Sequence, residues 1–152
     1  MRRDTKIVAA FLTAIPIVIL GSSSLCAWAI AHGASTRWRL LFRMLCHGIE
    51  QRCLTMFGVP MPICARCTGI YVGLFAGIIG FLIFPIVEER MMRTMMALAA
   101  LPMAIDGLTQ AVGLRESTNS LRFVTGFVAA FAFGMWALVT IERQAPRAVN
   151  PS

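Results

Sequence analysis

Of 152 residues, 58% are hydrophobic and 14% charged, against an apolar share of roughly 45–50% in soluble globular domains, which excludes an ordinary soluble fold. The net charge of +7 and pI near 10.1 would suit a nucleic-acid binder in a soluble chain. Here the basic residues flank long apolar runs, so membrane lipids with anionic headgroups are the expected partners and nucleic acid is not.

A hydrocarbon core about 30 Å thick takes about 20 apolar residues per helix. Four segments meet that length: Ile7 to Ala31, Thr68 to Val87, Thr94 to Val112 and Leu121 to Ile141. They predict an all-α, integral-membrane four-helix bundle, a single domain over residues 1–144. The tail 145–152, with two prolines, is expected to be disordered.

The first segment has features of a signal peptide: basic Arg2, Arg3 and Lys6, and the small-x-small run Ala27-Trp28-Ala29. Its apolar stretch outruns the roughly 7–15 residues of a signal core, which favours a retained span. Cys26 within it reads as packing, and His32 at its end as an interface residue. Beyond it, Trp38, Leu41, Phe42 and Leu45 recur at helical spacing with Arg37, Arg39 and Arg43 between them. This pattern predicts a short interfacial helix that lays the next residues at headgroup depth.

Those next residues carry the chemistry. Cys46-His47, Cys53 and Cys64-x-x-Cys67 place four of the five cysteines in one loop. A Cys-x-x-Cys turn aims two sulfurs at one point, and Cys46, His47, Cys64 and Cys67 supply the four ligands that zinc uses in structural sites, or three for a catalytic one. Zinc is the expected ion. Iron–sulfur chemistry suits an aerobic, outward site less well, and Thr68 in place of His leaves haem attachment unsupported.

The same residues support a redox reading. A Cys-x-x-Cys at a helix start, beside Arg66, has a lowered thiol pKa, with Cys46 or Cys53 as exchange partner. That layout resembles the quinone-coupled thiol oxidases of the disulfide-bond-forming B and vitamin K epoxide reductase families, and the resemblance implies a membrane thiol–disulfide oxidoreductase with quinone. The third alternative is a non-enzymatic module with a structural zinc knot.

Gly69, Gly73 and Gly77, then Gly80, strip one face of the second span, and Gly126, Ala130 and Gly134 repeat the device in the fourth. Close helix contact inside the bundle is expected, with a homodimer seam as the alternative. Pro102 predicts a bend in the third span.

A carboxylate within a span costs about 2.5–3.5 kcal/mol on insertion scales, so Asp106 needs a partner or a task. Gln110 lies four residues on and shares its helix face. Asp106, Gln110 and Glu116 are the candidate catalytic residues. Arg52, Arg66, Arg115, Asn119 and Arg122 are the candidates for holding an anionic, lipid-borne substrate, because guanidinium forks match phosphate oxygens. The competing reading pairs Asp106 with Arg66 or Arg122 as a bundle lock and makes Asn119 or Ser120 a helix cap.

Four spans put both termini on one side and both polar loops on the other. The 14 Lys and Arg residues divide evenly between the sides, so the positive-inside rule ties. Setting Arg52, Arg66, Arg115 and Arg122 aside as site residues tips it toward cytoplasmic termini, an external Cys/His loop and an inner-membrane location.

Taken in order, Cys46-His47, Arg52, Pro62-Ile63-Cys64-Ala65-Arg66-Cys67-Thr68-Gly69-Ile70-Tyr71-Val72-Gly73, Asp106-Gly107-x-x-Gln110 and Arg115-Glu116-Ser117-x-Asn119-x-x-Arg122 resemble the prokaryotic membrane-protein family catalogued as domain of unknown function 2085. The likeness covers roughly residues 40–126. It implies the architecture and the placement of the polar residues, not a reaction, and Cys53 is not a required part of the pattern.

Overall fold

The computed structural model describes residues 3–84 and 88–144. The expected end of the second span, 85–87, and the tail 145–152 lie outside them. Among the described residues, four helices are long and apolar enough to cross a membrane: α1 (Arg3–Ala31), α2 (Ala65–Ile83), α3 (Glu89–Ala111) and α4 (Asn119–Gln144). Large apolar side chains cover the outside, among them Phe11, Val18 and Leu25 on α1 and Leu98 and Leu101 on α3. Such a surface requires lipid rather than water. The expected four-helix membrane architecture is therefore present, and α3 continues through Pro102.

The central unit is the α2–α4 pair. A Cβ added to Gly69, Gly73 or Gly77 would stand 2.2, 2.2 or 2.3 Å from the carbonyl oxygens of Phe123, Phe127 and Phe131. Those distances leave room only for hydrogen, so the two backbones touch along two full turns, as small-xxx-small faces permit. In the other direction, Gly126 lies against the Arg66 carbonyl. Residue numbers rise together on the two helices, so α2 and α4 run parallel and bring their N-termini to one end of the molecule. The glycine faces are thus spent inside the chain. α1 packs on α2 and the strand before it, and α3 chiefly on α4.

The loop after α1 departs from the expectation in two ways. Its interfacial segment, Thr36–Met44, is a 3-10 helix rather than an α-helix. Three residues per turn place Arg39 and Phe42 on one edge: Phe42 is buried beside Met61 and Ile63, and Arg39 donates to the Met61 carbonyl at 3.2 Å and pairs with Glu50. Trp38, Leu41 and Met44 stay exposed. After a short 3-10 turn at Glu50–Arg52, the chain forms an antiparallel hairpin, β1 (Cys53–Met56) and β2 (Val59–Cys64), which the all-α expectation lacked. Its two-residue turn has φ of 55° at Phe57 and 77° at Gly58, as a type I′ connection requires.

Candidate functional site

The hairpin closes over the site. Its register pairs Cys53 with Cys64, and Cys64 is the N-cap of α2, its sulfur accepting the Cys67 N–H at 3.5 Å. The Cys46 sulfur accepts the Cys64 N–H at 3.2 Å. One ligand atom each from Cys46, His47 and Cys64 lies within 4.8 Å of the others. The two cysteines are buried and His47 is exposed, so the cluster is sealed on its sulfur side and open on its imidazole side. Open there is a cavity of about 380 Å³ whose walls include Arg39, Arg43, His47 and Glu50.

Hydrogen bonds from the Cys64 and Cys67 thiols hold Cys46 well below the usual thiol range. Cys67 stands outside the tight three-residue group, its N–H donating to the Cys64 sulfur. Burial pushes the Cys53 thiol up to about 11, and its sulfur donates to the Ile49 carbonyl at 3.1 Å. Cys53 is a protonated packing thiol. His47 Nδ1 accepts the Ile49 N–H at 3.1 Å. A metal taken at Nδ1 replaces that bond; one taken at Nε2 requires the ring to turn, because Nδ1 then carries the proton.

A second constellation lies on the far side of the α2 N-terminus. Asp106, 2% exposed, pairs with Arg66 through Oδ2 and with Arg115 through Oδ1 at 2.9 Å. Gln110 Nε2 donates to Oδ2 at 2.7 Å. Gln110 Oε1 in turn accepts Arg122 Nη2 at 2.9 Å and Nε at 3.2 Å, and Arg122 Nη1 donates to Asn119 Oδ1 at 3.1 Å. Asn119 Nδ2 donates to the Gln51 and Cys53 carbonyls at 3.2 and 3.1 Å. One continuous chain of hydrogen bonds thus joins α2, α3, α4 and the hairpin.

Successive residues on a helix point about 100° apart, and this separates the two sets. Cys67 and Tyr71 pack toward the hairpin and α1, whereas Arg66 turns to α3 and α4. Asp106 accepts from Arg66, Arg115 and Gln110. Glu116 is exposed and lies at the rim of a polar cavity with Arg52. The expected cap moves by one residue: Thr118, not Asn119 or Ser120, caps α4, its hydroxyl accepting the Leu121 N–H at 3.3 Å, which frees the Asn119 amide for the hairpin. Arg39 and the Gln51 and Cys53 carbonyls, which bind the loop, had no sequence signal beyond Arg39's charge. His32 bonds back to Trp28 and takes no part.

Residues 46–136, about three-fifths of the chain, match the sequence pattern of the family described as "Predicted membrane protein (DUF2085)". An uncharacterised protein of Methanocaldococcus jannaschii is 40% identical over 103 residues, 64% of either chain, so this chain spans just under two thirds of that relative. An uncharacterised protein of Methanothermobacter thermautotrophicus is 37% identical over 94 residues, 62% of this chain and 85% of the relative. No solved structure matches.

Proposed function

This chain belongs to the membrane-protein family whose pattern it matches, and from that membership and its sulfur geometry we propose that it is a zinc-binding multi-pass membrane protein. The convergence of Cys46, His47 and Cys64 within 4.8 Å carries the reading. Zinc–ligand bonds of about 2.0–2.3 Å place tetrahedral ligands about 3.5–3.8 Å apart, so the group needs only to contract on loading. Backbone N–H groups already aimed at the Cys46 and Cys64 sulfurs favour the thiolates a metal requires.

With Cys67 as fourth ligand the site is closed, and zinc supplies folding free energy to the loop. Cys46, Cys64 and Cys67 would hold it from the buried side and His47 from the rim. One observation favours a second, catalytic reading: His47 faces an open basic cavity. A three-ligand ion there would polarise an ester or phosphoester of a lipid-borne substrate. In either case Asp106 acts as a lock rather than as a general base, because its oxygens are taken by Arg66, Arg115 and Gln110.

We place the chain in the cytoplasmic membrane with the termini inside and the Cys/His loop outside. Arg66, Arg115 and Arg122 are committed to the polar network, which supports leaving them out of the topology count. The arginine-rich end then meets anionic headgroups.

Elemental analysis of detergent-purified protein prepared without chelator tests the metal reading. The expected result is about one zinc per chain, lost in Cys64→Ser and kept in Cys53→Ser. Metal-free protein with a Cys64–Cys67 disulfide would overturn it in favour of quinone-linked thiol exchange.

A further inference from the structure

Of Arg52, Arg66, Arg115 and Arg122, two lack an anion of their own. Arg66 and Arg115 share Asp106. Arg122, only 6% exposed, is bonded solely to the neutral amide oxygens of Gln110 and Asn119. Those bonds use three of the five N–H donors of a guanidinium. The side chain of Arg52, half-buried, makes no hydrogen bond or ion pair among the described residues. Both line one polar cavity of about 230 Å³ with Gln51, Ser117, Thr118 and Asn119.

A buried cation without a counter-charge is costly, and two on one cavity more so. The cavity's single acid is Glu116, which is exposed and forms no ion pair with either arginine. The fold adds to the positive potential rather than relieving it. The parallel pairing of α2 with α4 sets two helix N-termini, each with an effective positive end, at this same end of the molecule. Thr118 adds a hydroxyl donor beside the space, and Arg52 and Arg122 supply planar forks.

We propose that the Arg52–Arg122 cavity is a binding site for a phosphate group. Phosphate satisfies the free guanidinium donors and offers an acceptor to the Thr118 hydroxyl, whereas an uncharged ligand would leave the charge uncompensated. The site deepens the reading that this end meets anionic headgroups and rests on it, but it is independent of the Cys/His cluster, which lies across α2. The group comes either from a phospholipid headgroup or from a soluble phosphate.

The test is thermal unfolding of the full chain in a zwitterionic detergent, titrated with inorganic phosphate or with short-chain phosphatidic acid, each against chloride at matched ionic strength. The expected result is a saturable rise in Tm with at least one probe, and about tenfold weaker binding or less in Arg52→Gln, given the strength of hydrogen bonds to charged groups. The Arg52 side chain has no partner among the described residues, so this variant keeps the structure. A response to phosphatidic acid alone assigns a lipid headgroup, and a response to inorganic phosphate assigns phosphate itself. No response to either probe, or an undiminished response in Arg52→Gln, overturns the site. Zinc content measured on the same samples separates the two ideas: full zinc with no phosphate response removes this site alone, and phosphate binding in metal-free Cys64→Ser removes nothing from it.

Discussion

Asp106 was conspicuous in the sequence as a carboxylate that a membrane helix does not carry without cause, and of its two expected partners Arg66 is the one it has. Arg122 is diverted because Gln110, one turn beyond Asp106, bonds the carboxylate with its nitrogen and Arg122 with its oxygen. Arg115 completes the set from the α3–α4 loop. Asp106→Asn keeps the shape but leaves Arg66 and Arg115 without their counter-charge. Removing one member of a buried pair costs about 3–5 kcal/mol. Arg115 is half exposed and Arg66 a quarter exposed, so screening lowers the expected loss to about 2 kcal/mol. Thermal unfolding in detergent should show this loss with zinc content unchanged; wild-type stability would deny the lock. Cys53 teaches the opposite lesson. Grouped by sequence with the chemical cysteines, it is protonated up to about pH 11 in the fold. An unfolded thiol ionises near 8.5, so what Cys53 contributes is complete below that pH and is lost as pH rises toward 11.

At the scale of elements, the glycine spacing foretold close helix contact, and the structure supplies the partner backbone. Gly73→Ala would set a methyl 2.2 Å from the Phe127 carbonyl oxygen, and the helices must separate to admit it. Overpacking of this kind costs about 1–3 kcal/mol. Gly80→Ala is the control, because its nearest neighbours are side-chain atoms at 3.4 Å or more. The expectation is a clear fall in Tm for the first and little change for the second; equal effects would mean that the α2–α4 contact is not backbone to backbone. The hairpin was less legible. Pro60 and Pro62 interrupt any strand pattern, and a type I′ turn carrying phenylalanine lacks the usual Asn-Gly or Asp-Gly signature. The interfacial segment was legible in its amphipathic content but not in its 3-10 winding, which depends on Arg39 reaching the Met61 carbonyl across 22 residues.

For the whole molecule, counting spans sufficed to put the two polar loops on one side, and the hydrogen bonds from Asn119 to the Gln51 and Cys53 carbonyls join them there. What counting did not reveal is that the ligands and the carboxylate form two sites rather than one. That division follows from the helical angle between Cys67 and Arg66, and from α3 packing on α4 rather than on α2. The loop end therefore carries a thiol–imidazole centre against α1 and an arginine network against α3 and α4. The proposed function rests on the thiol–imidazole centre. X-ray absorption at the zinc edge of the purified protein tests it most directly: the account predicts sulfur ligands at about 2.3 Å and one imidazole nitrogen at about 2.0–2.1 Å, three sulfurs if the site is closed and two with an added oxygen if it is open. A shell of nitrogen and oxygen alone would contradict it.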